Sequence, residues 1–128
     1  EYDRKKFFVD QINYEAINIA EILMNKRWSI VIADRPSFIT TDNPVSTLNP
    51  TRNTFGLSSE GTVISFPLSP TRILMLDDRH EEPASHYYRL GDFGPGPANA
   101  VAWTQAHEFM ISSRNIDEVC AEMLSLEE

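Results

Sequence analysis

The sequence predicts an α+β fold: a largely antiparallel sheet with a long N-terminal helix, a second helix at Ala98–His107 and a C-terminal helix packed on it. Three features of the chain predict this class. Apolar residues recur at helical spacing near both ends, short β-branched runs lie between them, and turns rich in proline and asparagine separate the runs. The length of 128 residues corresponds to one domain, large enough to bury a core without disulfides or metal ions.

The first predicted helix runs from Tyr2 to Lys26. Its apolar side chains are spaced by three and four residues and therefore share one face: Phe8, Ile12, Ala16, Ile19 and Leu23. No capping residue precedes this predicted helix, so we expect residues 1–128 to be the C-terminal fragment of a longer protein. We also expect the helix to contact the missing N-terminal region of that protein, in addition to the sheet.

Two β-branched runs are expected to follow the helix as a hairpin. Trp28–Ala33 is predicted to be a buried strand, and the turn at Asp34–Ser37 is predicted to return the chain as a second strand at Phe38–Thr40. The polar stretch Asn43–Gly61 is predicted to be a long loop. Loops of that length inside compact domains are often functional or disordered.

A second pair of strands is predicted at Val63–Phe66 and Arg72–Leu76, on either side of Pro67–Pro70. Since proline cannot donate to a central ladder, two prolines this close predict a corner or a crossing between strands. The stretch Asp77–Pro97 is predicted to be irregular. Its first six residues, Asp77–Glu82, are predicted to form a solvated charged loop, because the spacing of their acidic side chains matches no zinc or EF-hand site.

The last third of the chain is predicted to form helix, strand and helix. The small residues of Ala98–His107 predict a helix packed closely against the sheet, and Phe109–Ser112 predicts a short strand. Asn115 is expected to cap the final helix, with Glu118 three residues later completing a capping box.

Composition limits the classes of partner. A net charge of −8 argues against a nucleic-acid backbone as the ligand. No apolar run approaches the roughly 18–20 residues that span a bilayer, so no membrane partner is expected. Cys120 is the one cysteine and cannot form an internal disulfide, which favours a cytoplasmic setting. No cofactor motif or metal-ligand spacing is present in the sequence.

Several short motifs follow one another in a recognisable order: Trp28 with its strand, Phe38–Val45, Ile64–Pro70, and then Asn99 and Gln105 before the last strand. In order and spacing they resemble the family of mostly bacterial proteins called domain of unknown function 4238. The family pattern reads Phe-Ile-Thr-Ser-Asp-Asn-Pro-Val, and Thr41 replaces its serine while keeping the hydroxyl. The resemblance covers the chain from about Trp28 onward, which would correspond to the C-terminal half of family members. It implies no established activity.

The polar residues of these motifs allow two interpretations. At Thr41–Pro44, an Asx-turn that ends a strand accounts for every residue, but Asp42 could instead face a pocket as a general base or cation ligand. Ser69 is either a hydroxyl that satisfies backbone groups at a proline corner or a nucleophile with His107 as its base. Asn99 is expected to cap its helix or to bind the Asp-Asn-Pro turn.

The leading hypothesis is a cytoplasmic domain of unknown function that uses the two corners, at Thr41–Pro44 and Phe66–Pro70, for structure or for binding a small ligand or a protein partner. The predicted ligand-binding residues are Thr41, Asp42, Asn43, Ser69 and Asn99. The alternative is a hydrolase, with or without a metal ion, whose candidate catalytic residues are Asp42, Ser69 and His107. The sequence leaves open whether the protein is an enzyme.

Overall fold

The computed structural model describes residues 3–49, 56–57 and 59–125. It confirms the α+β fold class. The described elements, in chain order, are α1 (Arg4–Met24), β1 (Arg27–Ile32), β2 (Thr40–Thr41), β3 (Ser46–Leu48), β4 (Val63–Ser69), β5 (Arg72–Asp77), β6 (His86–Arg89), α2 (Gly96–Thr104), β7 (Met110–Ile111) and α3 (Ile116–Leu124).

The main sheet has the strand order β3-β4-β5-β1-β6 and is antiparallel except where β6 runs parallel to β1. Side chains alternate between its two faces. The inner face, on which Ala98 of α2 packs, carries Val31, Ile73 and Met75 around the buried residues Ala33 and Phe38. The outer face carries the larger side chains: Trp28, Ile30, Ile32, Ile64, Phe66, Leu74, Leu76 and Tyr87.

The predicted hairpin between Trp28–Ala33 and Phe38–Thr40 is wrong. β1 has β5 on one side and β6 on the other, so neither of its edges is free for β2. β2 instead pairs antiparallel with β7 in a separate two-stranded sheet, which confirms the strand predicted at Phe109–Ser112. The strands predicted at Val63–Phe66 and Arg72–Leu76 are confirmed as antiparallel neighbours.

Two stretches predicted to be irregular each contain a strand. β3 lies within the predicted loop Asn43–Gly61 and forms one edge of the main sheet, while residues 50–55 and 58 of that loop lie outside the described residues. β6 lies within Asp77–Pro97 and forms the opposite edge. Edge strands face solvent along one side, so polar residues do not prevent them from pairing.

The predicted corner at Pro67–Pro70 is the end of a hairpin. β4 continues through Pro67 to Ser69, and its register with β5 shifts between these two residues. β3 pairs with β4 from Val63 to Ser65 and no further. Pro67 therefore lies where β4 has become an edge strand, a position at which a missing N–H donor is tolerated.

α1 differs from its prediction at its start and in its surroundings. The Asp3 carboxylate caps the helix by accepting hydrogen bonds from the N–H groups of Lys5 and Lys6 at 3.0 and 3.3 Å. The expected lack of a cap is therefore wrong. The predicted start of the helix at Tyr2 lies outside the described residues. No residue of α1 is buried. Its apolar stripe, expected to pack on the sheet, is exposed from Phe8 to Ile19, and Leu23 at its end is half-buried, where its carbonyl accepts a hydrogen bond from the Trp28 indole N–H.

α2 and α3 pack against each other and against the small sheet. Ile39, Ala102 and Val119 form the buried centre of this cluster, with Met110 and Met123 beside them. α2 begins at Gly96 and ends at Thr104, slightly before the predicted Ala98–His107. In α3 the predicted cap is confirmed, because the Asn115 side chain accepts a hydrogen bond from the N–H of Asp117 at 2.8 Å.

Candidate functional site

The Thr41–Pro44 segment is held by backbone groups of the chain after α2. The two carboxylate oxygens of Asp42 accept hydrogen bonds from the N–H groups of His107 and Glu108, at 3.0 and 2.8 Å. Thr41 Oγ1 accepts from the N–H of Asn43 at 3.0 Å, and the Asn43 amide donates to the Gln105 carbonyl at 2.9 Å. These contacts explain why a hydroxyl, a carboxylate and an amide follow one another here.

The ionisation of Asp42 reflects these contacts. Partial desolvation raises the pKa of this carboxyl group, but hydrogen bonds from backbone N–H groups, foremost those of His107 and Glu108, together lower it by more, so its pKa lies below the ordinary value. A carboxylate with a lowered pKa is a weak general base and is ionised at neutral pH. The geometry therefore favours a structural role for Asp42.

Asn99 is 1% exposed and joins α2 to the strand that enters the small sheet. Its side-chain oxygen accepts from the N–H of Ile39 at 3.0 Å, and its amide nitrogen donates to the carbonyl of Ser37 at 2.9 Å. The two hydrogen bonds flank Phe38 and fix its backbone. Asn99 lies inside α2, so the expectation that it caps the helix is wrong. Its side-chain hydrogen bonds go to Ser37 and Ile39 and not to the Asp-Asn-Pro turn that was the second expectation.

A second side chain reaches the same carbonyl. Arg114 Nη2 donates to the oxygen of Ser37 at 2.9 Å, while both of its terminal nitrogens bind the Glu122 carboxylate at 2.7 and 2.9 Å. Hydrogen bonds from Arg114 hold the pKa of Glu122 below its ordinary value. α3 is thereby tied to the Ser37–Ile39 segment.

Ser69 lies at the β4–β5 turn. Its Oγ accepts a hydrogen bond from the N–H of Thr71 at 3.3 Å. The Pro70 carbonyl accepts from the N–H groups of Ser37 and Phe38, which precede the Thr41–Pro44 corner, at 2.7 and 2.9 Å. The Phe66–Pro70 corner therefore holds the backbone of Phe38, and among the described residues no hydrogen bond joins it to Thr41–Pro44 itself.

The three candidate catalytic residues are not joined to one another through their side chains. Asp42 contacts His107 at the backbone N–H, and within the described residues no hydrogen bond joins Ser69 to His107. Among those residues, no three His, Cys, Asp or Glu side chains are grouped so that they could hold a metal ion. The hydrolase stays a prediction.

A cavity of about 440 Å³ lies against the inner face of the main sheet. Its apolar walls come from both sheet and helix: Val31, Phe38, Ile73, Met75, Leu90 and Ala98. Ser29 and Ser65 lie at the centre of its floor, where their small side chains leave the space open. The volume falls within the range of about 300–1,000 Å³ that is typical of small-molecule sites.

A buried ion pair, whose residues the sequence does not single out, also lines this cavity. Arg27 donates to both carboxylate oxygens of Asp77, at 2.9 and 2.6 Å, and to the hydroxyl of Tyr88 at 3.1 Å. Burial raises the pKa of Asp77, but hydrogen bonds from Arg27 and from the N–H of Arg79 lower it by more. The prediction that Asp77 begins a solvated loop is wrong, because Asp77 is the last residue of β5 and is 6% exposed.

The rim of the cavity carries two further cations. Arg79 and Arg89 line the cavity, and their guanidinium groups make no hydrogen bond or ion pair with any other described residue. Glu82 is the acidic side chain on the same rim. The lining thus carries three arginines and two carboxylates, an excess of one positive charge in a chain of net charge −8.

We expect Asp42→Ala to lower the free energy of unfolding at pH 7 and to have a smaller effect at pH 3. The folded-state pKa of Asp42 lies below its ordinary value, so its stabilisation is present above about pH 4 and is lost as the pH falls through the folded pKa. Urea unfolding at the two pH values measures this difference. Asp34→Ala, at an exposed turn, is the matched control, and an equal loss for both variants at pH 7 would contradict the assignment.

A family model described as "Protein of unknown function (DUF4238)" matches residues 6–122. The match begins in α1, so the similarity is not limited to the region from Trp28 onward that the motifs indicated. No curated protein and no solved structure matches the chain. Within the part of the chain that the structure describes, no helix is long and apolar enough to cross a membrane.

Proposed function

The chain belongs to the DUF4238 family of proteins of unknown function, and we propose that it forms a ligand-binding module whose site is the inner-face cavity. The proposed ligand is a small molecule with an apolar body and an anionic group. The observation that carries the proposal is the cavity of about 440 Å³ itself, with apolar walls and a charged rim. Sites of this kind combine hydrophobic lining with a few polar groups that orient the ligand.

The apolar body of the ligand would lie between Phe38, Met75 and Leu90. All three line the cavity, and Met75 and Leu90 are half-buried, so a ligand would remove more of their surface from water. Burial of apolar surface contributes about 25 cal/mol per Å². Methionine also adapts its shape to different apolar partners.

The anionic group would bind at the rim. Arg27 is already neutralised by Asp77 and is 6% exposed, so it supports the wall. Arg79 and Arg89 are exposed, and their guanidinium groups make no hydrogen bond or ion pair with another described residue. Arg79 also acts electrostatically on Asp77, whose pKa it helps to lower, and it is the rim cation that we propose binds the anionic group. A guanidinium group presents two parallel N–H donors to a carboxylate, which favours a carboxylate over a neutral head group.

In this proposal the motif residues Asn99 and Pro70 position one wall of the site. Asn99 and the Pro70 carbonyl hold the backbone on both sides of Phe38, whose ring lines the cavity. That Thr41, Asp42, Asn43, Ser69 and Asn99 themselves bind a ligand or a protein partner stays a prediction. The cytoplasmic and bacterial setting also stays a prediction, supported by the single cysteine and the motif resemblance.

The proposal is tested by calorimetric titration with decanoate, 1-decanol and decylamine as probes. We expect decanoate to bind about tenfold more tightly than 1-decanol, a difference of about 1.4 kcal/mol, and decylamine to bind most weakly. Arg79→Gln should remove the advantage of decanoate over 1-decanol. Equal affinity for all three probes, or none for any of them, would overturn the proposed ligand class.

The position of the site is tested by filling it. Ser65→Met places a long side chain on the cavity floor and should abolish decanoate binding, whereas Thr47→Met, on the exposed outer face of neighbouring β3, should leave it unchanged. Thermal unfolding of both variants shows whether each is folded. Undiminished binding by folded Ser65→Met protein would place the ligand elsewhere.

A further inference from the structure

Three serine side chains lie in one row across the inner face of the main sheet. Ser46 on β3 is opposite Ser65 on β4, and Met75 on β5 separates Ser65 from Ser29 on β1. Directly opposite residues of an antiparallel pair share one face of the sheet, and Ser29, Ser65 and Met75 line the inner-face cavity. We call Ser46, Ser65 and Ser29 the serine row.

The hydroxyl groups of the serine row make no hydrogen bond with any other described residue. Ser29, Ser46 and Ser65 are 3%, 1% and 7% exposed, and Ser46 Oγ is buried without a partner. Buried polar side chains in native proteins are nearly always hydrogen-bonded, so each exception calls for an explanation. The serine row is therefore polar surface that the described part of the chain leaves unpaired.

Ser65 connects the buried hydroxyl of Ser46 to the cavity. Since β4 lies between β3 and β5, Ser65 separates Ser46 from the part of the row that lines the cavity. The Cβ atoms of directly opposite residues are about 4.5–5.5 Å apart, so rotation of the Ser65 side chain brings the two hydroxyl groups within reach of each other. Ser46 can then donate to Ser65, and the hydroxyl hydrogen of Ser65 is free to be donated into the cavity.

The cavity offers a polar group of the ligand few other places at this depth. Beyond the serine row, on the side away from Arg27 and Asp77, its walls are the apolar side chains of Val31, Phe38 and Ile73. A plain alkyl chain that crosses the serine row would exclude water from the hydroxyl groups and leave them unpaired, which lowers affinity. An oxygen atom of the ligand at the row would replace that water.

We propose that the ligand of the inner-face cavity carries an oxygen atom partway along its apolar body, as a hydroxyl or carbonyl group, and that Ser65 donates a hydrogen bond to it. This rests on the proposed function, which places the anionic group of the ligand at Arg79. The N–H of Arg79 donates to the Asp77 carboxylate at 3.0 Å, so the rim cation follows directly on the end of β5. Ser65 is level with Met75, two residues before Asp77, or about 7 Å along the sheet. The oxygen therefore lies near the middle of a decanoate-sized chain and not at its end.

Calorimetric titration with decanoate, 5-hydroxydecanoate and 10-hydroxydecanoate tests this ligand class. We expect 5-hydroxydecanoate to bind about fivefold more tightly than decanoate. The isomer 10-hydroxydecanoate carries its hydroxyl group at the end of the chain, among the apolar walls, and should bind more weakly than decanoate. If decanoate binds and neither hydroxy acid binds more tightly, or if both gain equally, the mid-chain oxygen is overturned while the proposed anion site stands. If none of the three acids binds, both proposals are overturned.

The role of Ser65 is tested by removing single hydroxyl groups. Ser65→Ala should abolish the preference for 5-hydroxydecanoate and change the affinity for decanoate by less than about twofold, whereas a merely structural serine would affect both acids equally. Thr47→Ala, which removes an exposed hydroxyl from the outer face of β3, is the matched control and should keep the preference. Ser46→Ala should weaken the preference without destabilising the ligand-free protein, because its hydroxyl is unpaired there. A preference that survives Ser65→Ala, or that Ser29→Ala removes instead, would overturn the assignment.

Discussion

Arg27→Met is expected to lower the free energy of unfolding by about 3–5 kcal/mol, because it leaves the buried carboxylate of Asp77 without its partner. It also removes a donor to the hydroxyl of Tyr88, which lines the cavity as well. The measurement is urea unfolding at pH 7. Arg72→Met, on the exposed side of β5, is the matched control and should change stability by less than about 1 kcal/mol.

A double variant separates the loss of the arginine from the isolation of the carboxylate. Arg27→Met with Asp77→Leu should recover much of the stability, since two apolar side chains can replace a buried ion pair. The folded-state pKa of Asp77 lies below its ordinary value. The stabilisation by the pair is therefore present above about pH 4 and is lost as the pH falls through the folded pKa. A single variant as stable as the wild type at pH 7 would show that the pair is not buried as described.

Asn99→Leu is expected to lower the free energy of unfolding by about 2–4 kcal/mol. The substitution keeps the size of the side chain but leaves the N–H of Ile39 buried without an acceptor and removes one donor from the Ser37 carbonyl. Because these groups flank Phe38, decanoate binding should weaken in the folded variant as well.

Urea unfolding gives the free energy of unfolding of Asn99→Leu, and calorimetry on the same preparation gives its affinity for decanoate. Asn18→Leu, at an exposed position of α1, is the matched control and should have little effect on either. If Asn99→Leu loses stability but binds decanoate with unchanged affinity, Phe38 does not form the wall of the binding site.

Elements with strong local patterns could be predicted from the sequence. α3 has both an Asn115 cap and an apolar stripe, and β4 and β5 are β-branched runs separated by a short proline turn. β6 is harder to predict, because His86–Arg89 is only four residues long, has no apolar alternation, and pairs in parallel with a strand more than fifty residues earlier. The predicted hairpin failed for the same reason: long-range pairing with β5 and β6 occupies both edges of β1.

In the site, too, residues in a distinctive local sequence could be predicted, whereas contacts between residues distant in the sequence could not. The sequence singles out Asp42 at the turn that ends an apolar run and Asn99 at the start of a predicted helix, but it does not reveal their partners, which are backbone groups about sixty residues distant. Arg27 and Asp77 each look like an ordinary charged residue at the end of an element. One signal in the sequence is their position at strand termini. Arg27 is the first residue of β1 and Asp77 is the last residue of β5, and the other inner-face residues of both strands are small or apolar.

In this proposal Asn99 and Pro70 position the wall at Phe38, and the inner-face cavity binds the ligand. Intermolecular NOEs between decanoate and methyl-labelled protein distinguish the inner-face cavity from the Thr41–Pro44 corner, because each of them carries methyl groups. We predict NOEs from the decanoate chain to the methyl groups of Val31, Ile73 and Met75, which line the cavity. NOEs to the methyl group of Thr41, with none to those three residues, would overturn the inner-face site and place the ligand at the Thr41–Pro44 corner.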